Sequence, residues 1–159
     1  MSAPNFGKIT VAVDGSDHAN EALDFAIDLA KHYGSALTIV GVAPIVPMYI
    51  APTEPLSPGI VPPSDLPRYR EIVANAVKRA KSGGATTVAG VAKEGVVVDE
   101  LLEQLESQPA DLAVVGSRGL STTKRILLGS VSSALVAHAP CPVLVVRPRA
   151  TTKPKHSSG

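Results

Sequence analysis

Gly116-Ser117-Arg118-Gly119, followed after a nine-residue gap by Gly129-Ser130, is the stretch of this chain best suited to chemistry. The apolar run Asp111-Leu112-Ala113-Val114-Val115 precedes it, and a run of helical character, Val131 to His138, follows. A strand that ends in glycines and hands over to a helix gathers unpaired backbone N–H groups at the positive end of the helix dipole. Such a place binds phosphate. The bare glycine pattern recurs by chance in roughly one chain of this length in a hundred. The strand before it and the helix after it give it meaning. Gly116 and Gly119 allow positive φ and close approach of a ligand. Free N–H groups are expected at Gly129, Ser130, Val131 and Ser132, and Ser130 also suits an ordinary N-cap. Arg118, Lys124 and Arg125 lie within the loop and can offset phosphate charge, although each taken alone reads as a solvated cation.

Asp14 closes another apolar run, Lys8-Ile9-Thr10-Val11-Ala12-Val13, and is followed by Gly15-Ser16. A carboxylate at that point can accept hydrogen bonds from ribose hydroxyls or face a phosphate-bound metal. The local alternative is a turn-forming Asp whose carboxylate caps the next helix. Other templates fail. There is no Walker run, no Rossmann glycine triplet after the first strand and no Gly-x-Ser-x-Gly elbow. His18, His32, His138 and His156 show no metal-ligand spacing with one another or with Cys141. No pair of nucleophile and base is visible.

The elements that must position these residues follow from periodicity. Lys8 to Val13 reads as a strand, and Asp17 to His32 as a helix with Ala19, Ala22, Leu23, Ala26, Ile27 and Ala30 inward and Gly34 as C-cap. Ala36 to Val42 is an almost wholly apolar strand, as expected of one covered on both faces. Residues 44–67 carry eight of the 14 prolines and predict a long loop or lid with no regular helix or central strand. Helical spacing resumes at Tyr69 and ends at Gly83-Gly84. Thr86 to Val91 predicts a third strand, and Val97 to Leu105 a helix with Val98, Leu101, Leu102 and Leu105 inward. Leu112 to Val115 gives a fourth strand, Ser130 to His138 a helix, and Pro142 to Val146 a fifth strand. Regular alternation of strand and helix predicts an α/β protein, a doubly wound open parallel sheet with helices on both faces. Ligands of such sheets bind at the carboxyl ends of the strands beside the switch point. Asp14, Val42 and the Gly116 loop fall there.

Bulk properties bound the function. A chain of 159 residues, 45% hydrophobic and 18% charged, suits one domain with a single substantial core. That domain is read as residues 1–148, with 149–159 a disordered polar tail. Net charge of +1 and 3% aromatics argue against a nucleic-acid binder, which needs a basic footprint or stacking platforms. Cys141 is the sole cysteine, no apolar run approaches membrane-spanning length, and the first residues lack a signal-peptide pattern. The expectation is a soluble cytoplasmic protein.

The spacing Gly-x2-Gly-x9-Gly-Ser, formed by Gly116, Gly119, Gly129 and Ser130, resembles the nucleotide-binding motif of the universal stress protein family. Ile9-Thr10-Val11-Ala12-Val13-Asp14-Gly15-Ser16 is similar to the family's first strand. Lys93-Glu94-Gly95 and the closing Cys141-Pro142-Val143-Leu144-Val145-Val146-Arg147-Pro148 also fit. The resemblance covers residues 7–148 and points to the ATP-binding branch. It implies five parallel strands in the order 3-2-1-4-5 and a homodimer paired through the last strand, Val143 to Val146. It further implies ATP, with Mg²⁺ or Mn²⁺ bound through the phosphates. By position, Val13 and Val42 would offer backbone groups to adenine, and Asp14 would contact ribose or metal-bound phosphate. Gly116, Arg118, Gly119, Gly129, Ser130, Val131 and Ser132 would hold ribose and phosphates. The function so implied is a nucleotide-dependent switch or sensor in a stress response. A slow ATPase or nucleotidyl-transfer enzyme, or a partner-binding module using AMP or cyclic AMP (cAMP), is the alternative. Without a clear water-activating base other than Asp14, any hydrolysis is expected to be weak.

Overall fold

The computed structural model describes residues 5–45, 63–118 and 128–148. Within them the chain alternates strand and helix. The order is β1 (Lys8–Val13), α1 (Asp17–Tyr33), β2 (Ala36–Pro44), α2 (Leu66–Ser82), β3 (Thr87–Gly95), α3 (Val97–Ser107), β4 (Leu112–Gly116), α4 (Ser130–His138) and β5 (Val143–Val146). All strand pairs are parallel, in the order β3-β2-β1-β4-β5. The doubly wound α/β expectation holds.

Local chemistry explains the boundaries. Ser16 caps α1, its Oγ accepting the Ala19 N–H at 3.2 Å, and Gly34 ends the helix in the left-handed region at φ 66°. The six small and aliphatic positions expected inward on α1 are all buried. The expectation that 44–67 holds no helix or strand is corrected at both ends. β2 runs on to Pro44, which pairs with Gly95 at the strand end where a missing N–H is tolerated. α2 starts at Leu66 with Pro67 in its first turn, where proline removes no intrahelical bond. Residues 46–62 of that segment, and 149–159 of the tail, lie outside the described residues.

β3 extends four residues past Val91, through Lys93 and Glu94, because it is an edge strand with half-exposed faces that admit charge. Lys93 Nζ reaches Glu100 Oε2 of α3 at 3.8 Å. In α3, Leu101 and Leu105 are buried with Gln104, while Val98 and Leu102 are only partly covered. Gln104 tolerates burial because its Nε2 donates to Gln108 Oε1 at 3.1 Å.

The sheet is buried between two apolar layers. Ile9, Val11, Val13, Leu37 and Ile39 meet α1 and α2 on one face. Val40, Val42, Ala113 and Val115 meet Leu101 and Leu105 of α3 and Leu135 of α4 on the other. Each fully buried Val, Leu or Ile contributes roughly 1.5–3 kcal/mol. α1 leads from β1 to one side of the sheet and α4 leads from β4 to the other, so the winding reverses between β1 and β4. In sheets of this kind the ligand crevice lies at such a point, at the carboxyl ends of the strands.

Candidate functional site

Val11 pairs with Val114, so Val13 and Gly116, each two residues further along, lie at the same end of the sheet. Val13 pairs with Gly41, which sets Val42 beside it. Val13 and Val42 are both buried, leaving their main chain as the part able to meet a ligand. Asp14 and the Gly116 loop thus stand on opposite sides of the switch point, as expected.

The β1 side is a tight turn. Asp14 Oδ1 accepts the Ser16 N–H at 2.9 Å, and Gly15 adopts φ 83°, which glycine supplies without a Cβ penalty. Asp14 therefore does form the turn, while Ser16 is the cap. The carboxylate is half-buried, and Oδ2 has no hydrogen-bond partner among the described residues. Tyr69 of α2 is buried near this carboxylate. Burial first, and the Asp14 charge second, push its phenol above the usual tyrosine range.

The β4 side is built around Ser117. Its N–H donates to Val146 O at 2.9 Å, its carbonyl accepts the Gly129 N–H at 2.7 Å, and the Ser132 hydroxyl lies 3.2 Å from the same carbonyl. Ser132 Oγ is also 3.0 Å from Gly129 O, so its single proton is shared between two carbonyls of the loop. Two expectations are corrected here. The Gly129 N–H is not free, because closing the loop onto β4 consumes it. Gly116 does not take positive φ. It is glycine because a Cβ there would stand 2.8 Å from the carbonyl carbon and oxygen of His18, where α1 crosses the end of β4.

α4 begins at Ser130 without a side-chain cap, and Ser133 makes the first helical bond, to Gly129 O at 3.0 Å. The N–H groups of Ser130, Val131 and Ser132 have no acceptor among the described residues. They are three of the four N–H groups that the glycine pattern predicts to be free. The Ser132 hydroxyl points into the fold and is fully buried, so only its N–H can serve a ligand. Arg118 is half-buried beside Ser117. Gly119, Lys124 and Arg125 lie outside the described residues.

The structure adds residues to the site. His18, set aside by the sequence for want of metal spacing, places Nδ1 3.1 Å from Ser117 Oγ. Tyr69 gave only a helical periodicity signal. No group of three or more His, Cys, Asp or Glu able to hold a metal occurs among the described residues. Nor is any helix of the described residues long and apolar enough to cross a membrane.

A parallel, doubly wound sheet with unpaired donors beside its switch point defines an α/β protein of the open-sheet class whose ligands bind at that point. The family model described as "Universal stress protein family" matches residues 5–147, and the chain belongs to that family. It is 33% identical over 150 residues to a universal stress protein of Thermus aquaticus, covering 89% of this chain and 99% of the relative. It is 35% identical over 152 residues to the universal stress protein YxiE of Bacillus subtilis, with 89% and 99% coverage. A solved universal stress protein in complex with cAMP is 32% identical, with TM-score 0.66, and the match covers 90% of this chain and 98% of that one.

Proposed function

We propose that this chain holds an adenine nucleotide, ATP with Mg²⁺ or Mn²⁺ carried on its phosphates, and acts as a nucleotide-dependent regulatory protein. The observation that carries this reading is the unpaired N–H set of Ser130, Val131 and Ser132, opposite the Asp14 carboxylate. Phosphate oxygens would accept from these groups, aided by the α4 dipole and by Arg118. Gly116, Gly119 and Gly129 would shape the loop that carries them. Asp14 would use Oδ2 toward ribose or the phosphate-bound cation. The main chain of Val13 and Val42 would meet adenine. The bound cation neutralises phosphate charge; the chain's own contribution is to bind and orient. Holding ATP rather than consuming it fits an Asp14 carboxylate that already serves a turn.

The cAMP complex of a 32% identical relative favours a second reading, in which AMP or cAMP takes the same cradle. One experiment separates them. The purified protein is denatured, released nucleotide is identified by mass, and ADP is followed after adding ATP and Mg²⁺. Intact ATP with background ADP production supports the regulatory reading, and Asp14→Ala should then weaken ATP binding about tenfold. Steady ADP production lost in Asp14→Ala would indicate an enzyme. Absence of any adenine nucleotide affinity would overturn the reading.

β5 is an edge strand, half-buried along Val143 to Val145, and Val136 of the adjoining α4 is 55% exposed. A second copy pairing along Val143–Val146 would cover that edge. Sedimentation is expected to give a two-chain particle, and a single-chain particle at all concentrations would contradict this. A cytoplasmic setting belongs to the same proposal, since the lone Cys141 needs no oxidising compartment.

A further inference from the structure

We infer that His18 is a positioning residue of the crevice, holding Ser117 and adding a proton-dependent charge beside the bound phosphates. The inference rests on the nucleotide reading above and extends it to a residue outside the glycine pattern. Ser117 joins β5 and the α4 start through its main chain, and among the described residues its side-chain hydrogen bond is to the His18 ring. The backbone of His18 packs so closely on Gly116 that no Cβ fits between them. The ring is therefore held at the end of β4 by the main chain of both elements. It is half-buried, and Nε2 has no hydrogen-bond partner among the described residues.

Imidazole is the side chain whose ordinary titration falls between about pH 5 and 8. The charged groups brought to this end of the fold are mixed. Asp17 and Glu21 on α1 and Asp14 beyond β1 are the carboxylates of this end among the described residues. Arg118 beside Ser117 and Arg147 beyond β5 are its cations, and the positive end of α1 lies here as well. Asp65 and Arg68, flanking the start of α2, pair with each other at 3.4 Å, and the first turn of α4 carries no charge. A phosphate chain in the cradle adds negative charge, which favours imidazolium. In that form both ring nitrogens donate, so Ser117 Oγ must accept from Nδ1. The Ser117 hydroxyl proton is then released to an acceptor such as a phosphate oxygen.

Binding and proton uptake are reciprocal. The test titrates the His18 Hε1 resonance of the full chain by NMR, free and with saturating Mg²⁺-ATP. The expected result is a midpoint raised in the complex by roughly half a pH unit, equivalent to about threefold tighter binding at low pH. Because phosphate groups titrate near pH 6 themselves, affinities are compared as the ratio of the natural chain to His18→Gln, which cancels the ligand's own titration. That ratio should rise as pH falls. Ser117→Ala, which loses only the hydroxyl, should shrink the midpoint change even if His18→Gln folds poorly. An unmoved midpoint, with ATP still shifting the Ser130 amide, would overturn the role of His18 and leave the nucleotide site standing. Absence of ATP-dependent shifts at every amide would overturn both.

Discussion

Gly116→Val is expected to lower the thermal unfolding midpoint by roughly 10 °C, equivalent to about 3 kcal/mol. A Cβ at this position would stand 2.8 Å from the His18 carbonyl carbon and oxygen and 3.1 Å from Ala19 N. These are backbone atoms of α1, which cannot turn aside as the end of a flexible side chain would. Relief requires β4 and α1 to separate, and both flank the crevice. Nucleotide affinity should therefore fall together with stability. Gly34→Ala provides the contrast, because Gly34 has φ 66° with nothing within 4 Å of the added Cβ. It should cost only about 1–2 kcal/mol of backbone strain and leave affinity unchanged. Calorimetric unfolding of the two variants checks the pair. Equal losses would show that Gly116 is not held by the α1 contact.

Ser130→Pro is expected to do the reverse, weakening ATP binding by roughly 10- to 100-fold with little change in stability. Ser130 is the first residue of α4, and its N–H has no acceptor among the described residues, so proline removes no bond of the helix. Gly129 at φ −61°, ψ 163° already has the extended conformation that a following proline requires. What is lost is a donor to charged phosphate, a hydrogen bond of about 1.5–3 kcal/mol. Ser130→Ala removes only the hydroxyl and should cost less than Ser130→Pro. Equal affinities of Ser130→Pro and the natural chain, measured by titration calorimetry, would place the phosphates elsewhere.

Much of the frame is local and therefore legible in the sequence. The Asp14-Gly15-Ser16 turn, the Gly34 cap and the buried stripe of α1 follow from residue types a few positions apart. The doubly wound parallel class follows once alternation and crossover handedness are combined, whereas the order 3-2-1-4-5 is what the family resemblance implies. The extension of β3 to Gly95 was not legible, since Lys93 and Glu94 suggest an end to the strand until its edge position is known. The proline of a helix start was hidden in a run of prolines for the same local reason.

The site divides along the same line. The donor set of α4 is a local property and is legible from Gly129-Ser130. The coupling of His18 to Ser117 spans 99 residues and leaves no spacing signature. Gly116 looks like a ligand glycine in sequence, and its packing role is not legible there, because the α1 backbone that crowds it lies far off in the chain. Ser132 reads in sequence as a main-chain N–H donor, and that its hydroxyl ties α4 to the loop is not legible there. Val13, Val42 and Asp14 share one strand end because the sheet register puts them there.

The most direct test is an amide ¹⁵N–¹H correlation spectrum of the full chain, recorded as Mg²⁺-ATP is added. The largest shifts are predicted at Ser130, Val131 and Ser132, with a second group at Gly15 and Ser16, saturating at one nucleotide per chain. An unchanged spectrum, or shifts confined to other surfaces such as α3, would contradict an adenine nucleotide held between β1 and the start of α4.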